Sequence, residues 1–362
     1  MSKTEKQNGK KTFVKRRTTG DATVVFSACT VVGAVAGAGF LSGRELLEFY
    51  GGFRLFPLAV SFAAFVCGFL LFLRLGAKFG GFDGVMCGVF HGGAAQAAKI
   101  SALFCSFSVG TATLSALHAS YPQTQPFFAA AFVCIALLCT RRGVSGLSSF
   151  GALFTPFLIV AVLLLIVRRG CLSLPEQTDI GCGVRASVLG IVYACMNVFA
   201  VSPVLCDLGE ALGEKGKNAA TAFGAAIALT LLSAAILSAV SSDKCSYSKP
   251  LPLDYVLNGG KFFAALSVIG MLTTFAACFY PVSKAAQTVA LRSLKNKVGN
   301  LYLLGGFAAK IVVGATFLIA SLLPFEKIVR YLYPVAGVLG AAVIAAAVIA
   351  AFGCKRSSVI PQ

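Results

Sequence analysis

Residues 37–52 read GAGFLSGRELLEFYGG. They close an apolar run that opens near Ala22 and has the composition of a membrane-spanning helix. Three glycines (Gly37, Gly39, Gly43) interrupt the run, and Arg44, Glu45 and Glu48 follow at once. Glycine weakens a helix and admits close approaches and dihedrals closed to other residues. Charges inside a bilayer are costly and mark functional positions. A first span that combines the two reads as an interrupted helix rather than a plain anchor.

The rest of the chain supports a membrane setting. Of its 362 residues, 57% are hydrophobic and 12% charged, with a mean hydropathy of +0.85. Soluble domains carry about a quarter charged residues. Apolar runs of roughly 20 residues, long enough to cross a hydrocarbon core, recur along the sequence. A cleaved signal peptide is not expected, because the first 20 residues are polar and no cleavage site precedes a soluble domain. The net charge of +18 does not indicate a nucleic-acid partner. The basic residues sit in short connections and in the tail (Lys3, Lys6, Lys10, Lys11, Lys15, Arg16, Arg17), which is how topology is encoded, and the tail adds at most an attraction to anionic lipid.

Ten spans are predicted, near 22–50, 54–74, 95–118, 126–140, 149–168, 184–213, 219–241, 262–288, 301–323 and 328–351. Between them lie Gly-, Pro- and charge-rich connections such as AKFGGFDG, TRRGVSG and SDKCSYSKPLPLDYVLNGGK. Basic residues concentrate in the segments that share a side with the tail, so both termini are expected in the cytoplasm. The long connection divides the chain into a basic tail (1–21), a first five-helix repeat (22–168), an outer loop (169–183), a second repeat (184–351) and a short tail (352–362). Five is odd, so the second half enters the membrane in the opposite sense, as in the inverted repeats of many secondary transporters.

The sixth span repeats the anomaly of the first. It reads VYACMNVFAVSPVLCDLGEAL over residues 192–212, with Asn197, Ser202 and Pro203 inside it and Asp207 and Glu210 just beyond. Gly39 stands as far before Val201 as residue 22 stands before residue 184, so the two irregular points fall at matching depths. Paired discontinuous helices are predicted. A broken helix is tolerated only where it lines protein or water, and its freed carbonyls can there hold a cation.

These residues also carry a resemblance. GAGFLSGRELLEFY resembles the first-helix signature of the YkvI-like family of bacterial membrane proteins, G-A-G-F-x-S/T-G-x-E followed by an aromatic pair. Tyr193, Asn197 and SPVLCDLGE are similar to its sixth-helix pattern. The resemblance spans about Ala22 to Phe352. It implies a place in the amino acid–polyamine–organocation superfamily, a bacterial cell membrane, and an all-α, leucine-transporter-type fold of two inverted five-helix repeats. This chain departs from relatives in its lack of tryptophan and its basic tail.

The resemblance further implies that Gly37, Ala38, Gly39 and Phe40 meet Asn197, Val198, Ser202 and Pro203 around a substrate, facing spans three and eight. Span three offers the hydroxyls of Ser106, Ser108 and Thr111, although hydroxyls within spans often bond their own backbone. Span eight offers Thr273 and Thr274 near its middle, and two adjacent threonines fit the need of sodium-coupled members, in which hydroxyls of span eight and carbonyls of span one hold Na⁺. Lys99 and Lys284 lie near cytoplasmic ends, within reach of the headgroups. A lysine in a sodium position would argue for coupling without Na⁺, and Lys284 is the one to examine. No acidic residue is legible mid-span as a proton carrier.

Among the charges beyond the glycines, Arg44 and Glu48 form an i, i+4 pair, which leaves Glu45 to gate an outer vestibule or to bind a basic solute. Thirteen cysteines show no metal-ligand spacing; most lie in apolar runs, and a Cys171–Cys182 bridge in the outer loop is left open. His91 and His118 stand apart, no catalytic constellation is present, and no metal or organic cofactor is expected. The sequence therefore reads as a secondary active transporter of a small amino-acid-like or amine solute, coupled to Na⁺ or H⁺. The alternative is a nutrient receptor of the same fold that binds solute without moving it. Oligomeric state is left open.

Overall fold

The structure is a computed structural model that describes residues 20–121, 125–176, 180–249, 251–258, 260–293 and 300–353. Every regular element among them is helical. The first span is split into α1 (Gly20–Val35), α2 (Ala38–Ser42) and α3 (Arg44–Tyr50). There follow α4 (Leu55–Phe79), α5 (Gly81–Val89), α6 (Gly93–Ser120), α7 (Gln125–Cys139), α8 (Val144–Arg169), α9 (Ile180–Leu212) and α10 (Lys215–Ser241). The chain ends with α11 (Pro252–Leu257), α12 (Gly260–Ser293), α13 (Asn300–Ala320), α14 (Phe325–Lys327), a π turn over Ile328–Leu332, and α15 (Tyr333–Gly353). Seven of the described helices are long and apolar enough to cross a membrane, and Thr23–Val35 and Gly305–Ala320 are shorter apolar helices.

Close glycine contacts set the packing directions. Side chains added at Gly68 and Gly76 of α4 would meet Val198 and the backbone of Cys206, and one added at Gly209 of α9 would meet the backbone of Leu73. α4 and α9 thus run side by side in the same direction with main chains nearly touching, the small-residue packing that lets helices associate within lipid. α1 runs parallel to α8, with Gly151 against Thr30 and Thr155 against Gly33, and antiparallel to α12, with Gly33 beside Thr273 and the Ala36 carbonyl beside Gly270. α1, α4, α9 and α12 form the centre, and α15 and α6 flank α9. One end of the bundle, called here the tail end, holds the start of α1 and the ends of α4, α9 and α12. The other, the loop end, is roofed by α11.

Two positions need glycine's left-handed freedom. Gly43 (φ 77°) both ends α2 and starts α3, turning the chain beneath Ile236, Val240 and Leu253. Gly80 and Gly81 (φ 78° and 76°) turn α4 into α5 against the carboxylates of Asp207 and Glu210.

The glycine seam yields a first expected result. Gly209→Val should lower the melting midpoint of the detergent-solubilised protein by the equivalent of about 1–3 kcal/mol, since its branched side chain would collide with the Leu73 backbone, which cannot turn aside as a side chain can. Gly224→Ala, where the nearest atom is the Ala28 methyl at 3.8 Å, should be neutral or slightly stabilising. Equal midpoints for the two variants would refute the close packing.

Candidate functional site

The first interruption forms where the glycines place it. The Gly37 amide donates to the Val35 carbonyl at 2.8 Å instead of reaching back four residues to Gly33. Gly37 itself is extended (φ −81°, ψ −164°), and α2 restarts when the Leu41 amide donates to its carbonyl at 2.9 Å. The carbonyl of Gly33, freed from the helical ladder, accepts instead from Thr274 Oγ1 at 2.8 Å. A side chain on Gly37 would press on Thr274 at 3.0 Å. Phe40 is fully buried in the core. Ala38 opens α2, and its side chain lies outside the described residues.

Three threonine hydroxyls gather beside this break. Thr274 Oγ1 is bound to Gly33, Thr273 Oγ1 donates to the Gly270 carbonyl at 2.9 Å, and Thr155 of α8 points its hydroxyl to the space a Gly33 side chain would fill. Thr155 Oγ1 is buried and has no hydrogen-bond partner among the described residues. Thr155 was not singled out in the sequence. Its one local signal is the proline that follows it within the fifth span.

The charges beyond the break divide differently from the expectation. Arg44 and Glu48 do pair, at 3.6 Å, on an accessible face, and Arg44 also donates to the Tyr247 carbonyl at 3.1 Å. Glu45 does not face a vestibule. It is 6% exposed, its carboxylate rests on Gly39, the Tyr193 hydroxyl donates to Oε2 at 3.4 Å, and Tyr333 faces it from α15. The physical reason is helical register: with Arg44 and Glu48 on the outer face, the intervening Glu45 turns toward α9. The rings of Phe49, Tyr50 and Phe65 surround Tyr193, with centroids 5.0, 5.9 and 6.5 Å away.

The second interruption is corrected by the structure. α9 runs unbroken through Asn197, Ser202 and Pro203. Proline removes one amide and orphans one carbonyl, that of Phe199, and Ser202 Oγ donates to it at 2.7 Å. Asn197 Nδ2 donates to the Tyr193 carbonyl at 3.0 Å, and Ser106 Oγ of α6 reaches the Ala200 carbonyl at 2.6 Å. At Phe199 a side chain thus satisfies the carbonyl that the proline leaves without its amide. Val198 covers Gly68 of α4 rather than meeting the break, and Ser108 bonds its own helix at the Phe104 carbonyl. Thr111 is buried with an unpartnered hydroxyl among the described residues.

A second polar group, whose members the sequence does not bring together, lies at the tail end. Asp207 is 5% exposed and accepts from Lys284 Nζ at 2.6 Å, Tyr280 Oη at 2.7 Å and the Phe82 amide at 3.0 Å. Lys284 is thus held by Asp207 about 15 Å along α12 from Thr274, away from the threonine hydroxyls beside the break. Nor do Lys284 and Lys99 extend freely to headgroups, since Lys99 pairs with Asp83. Above these pairs opens a cavity of about 210 Å³, lined in part by Pro203, Asp207, Pro281, Lys284, Gln96 and Arg292. Asp207 carried a weak signal, a carboxylate one helical turn beyond the span-six proline. Cys171 is a free thiol near the Val256 carbonyl, and the side chain of Cys182 lies outside the described residues.

No family model and no curated protein matches the chain. Solved structures do match it. One, "Inward facing conformation of Mhp1", is a leucine-transporter-type transporter; it aligns with a TM-score of 0.52 over 91% of this chain and 74% of its own, at 14% identity. At that identity the likeness concerns the fold. With the apolar helices and the interrupted first span, it makes the chain an all-α, multi-pass membrane protein with a leucine-transporter-type fold.

Proposed function

We propose that the protein is a secondary active transporter of a small organic solute, amino-acid-like or amine-like, driven by Na⁺ or H⁺ through alternating access. The observation that carries this reading is the buried interruption at Ala36–Gly37, enclosed by α8, α9 and α12. Irregular backbone inside a membrane bundle is kept only where it is buried in protein or lines water, and at such a break the freed carbonyls can meet a solute or an ion. The C-terminal end of α1 presents the partially negative end of a helix dipole, suited to an ammonium group or a metal cation. The Gly33 carbonyl with Thr155, Thr273 and Thr274 supplies the neutral oxygens that Na⁺ accepts.

The cavity near Asp207 opens the tail end while α11 and the aromatic cluster cover the loop end, which fits a conformer open to the side of the N-terminal tail. With both termini in the cytoplasm of a bacterial cell, that side is the inner one. The GAGF signature supports membership of the YkvI-like family. Purified protein should show thermal stabilisation by one or more members of a panel of proteinogenic amino acids and putrescine. Proteoliposomes should accumulate that solute under a Na⁺ or H⁺ gradient. Stabilisation with no flux under either gradient would instead identify a receptor.

A further inference from the structure

Resting on the transport reading, we infer that Glu45 is the residue that binds the coupling proton. The geometry around its carboxylate is complete enough to exclude the usual structural role of a buried acid, an ion pair. From α9 it meets Tyr193, from α15 Tyr333, and within α3 Tyr50 stands beside Tyr193. From α10 and α11 the neighbouring groups near Gly43 are the apolar Ile236, Val240 and Leu253. The nearest cation in sequence, Arg44, turns to Glu48 and the Tyr247 carbonyl, and Lys284 is held at the tail end by Asp207. Among the described residues no Lys, Arg or His pairs with Glu45.

An ionised carboxylate in such a place lacks compensation. Moving an isolated charge into a low-dielectric interior is far more costly than neutralising it, and tyrosine hydroxyls supply hydrogen bonds without countercharge. With the loop end sealed, Glu45 is therefore the neutral acid. Two joints give it access to water and a way out for its proton. Gly43 lets α3 swing at the loop end, where the carboxylate takes one proton from that side. Gly39, on which the carboxylate rests, connects it to the interruption, toward which the proton leaves once the tail-end cavity, now bounded by Pro203 and Asp207, extends to the break. One solute and one proton then cross in the same direction, and Glu45 returns as the carboxylate.

The infrared spectrum of the purified full chain at neutral pH should contain a carboxylic-acid carbonyl band that Glu45→Gln lacks. In proteoliposomes loaded with a pH-sensitive dye, a mixture of proteinogenic amino acids and putrescine should acidify the lumen with wild type. Acidification should fall to background with Glu45→Gln, whose thermal melt stays near that of wild type, and recover in part with Glu45→Asp. Absence of the Glu45-dependent band, or acidification by Glu45→Gln equal to wild type, overturns the assignment. Wild-type exchange that moves no protons overturns it while leaving transport intact. A wild type that neither exchanges nor accumulates solute removes both readings.

Discussion

Gly39→Leu is expected to abolish solute binding while leaving the protein inserted and folded. The first carbon of any side chain at this position would overlap the carboxylate of Glu45. Leucine therefore forces Glu45 out of its contact with Tyr193 and fills the second residue of α2 with a branched apolar group. A loss of at least about 1.4 kcal/mol, tenfold in affinity, is expected for whichever panel solute stabilises the wild type. Gly39→Ala should fall between the two, because the collision begins at the first carbon. Gly216→Ala, whose side chain would meet open space, should bind as wild type does. Retained affinity in Gly39→Leu would mean that the solute sits elsewhere.

The second large effect concerns stability. Asp207→Ala removes the acceptor of three donors at once: Lys284 Nζ, Tyr280 Oη and the Phe82 amide. Breaking a fully buried pair costs about 3–5 kcal/mol. The Lys284 side chain is 43% exposed, so water recovers part of its solvation, and a loss nearer ~3 kcal/mol is expected. Lys284→Ala strips the countercharge from a carboxylate that is 5% exposed and should cost a comparable amount. The double variant Asp207→Ala/Lys284→Ala should cost less than the two single losses added together, and additive losses in a thermal melt would show that the pair does not organise the tail end.

What could be read in advance follows the range of the forces involved. The break at Gly37 is a local matter of glycines in a short stretch, and it was legible. The Arg44–Glu48 pair was legible for the same reason, as neighbours on one helix. The continuity of α9 was not, because it depends on whether Ser202 happens to turn its hydroxyl onto the carbonyl that Pro203 orphans. Asp207 is visible beyond the proline, but its surroundings are not, since its partners lie far off in sequence, at Phe82, Tyr280 and Lys284. Glu45 was assigned to the right span but to the wrong surroundings. Pairing its two neighbours outside turns it inward, and only α9 and α15 reveal what it meets there.

The seam of α4 and α9 has a mechanical consequence. Where Gly76 faces the backbone of Cys206 and Gly209 that of Leu73, there is no layer of side chains to act as a lubricant. The two rods cannot slide past or roll over each other and must travel as one beam. Rearrangement of the molecule then falls to what is attached to that beam by pivots: the short α2–α3 arm at Gly43 and the α5 paddle at Gly80–Gly81. A staple across the seam should leave the working cycle running, whereas a rigid residue at either pivot should stall it.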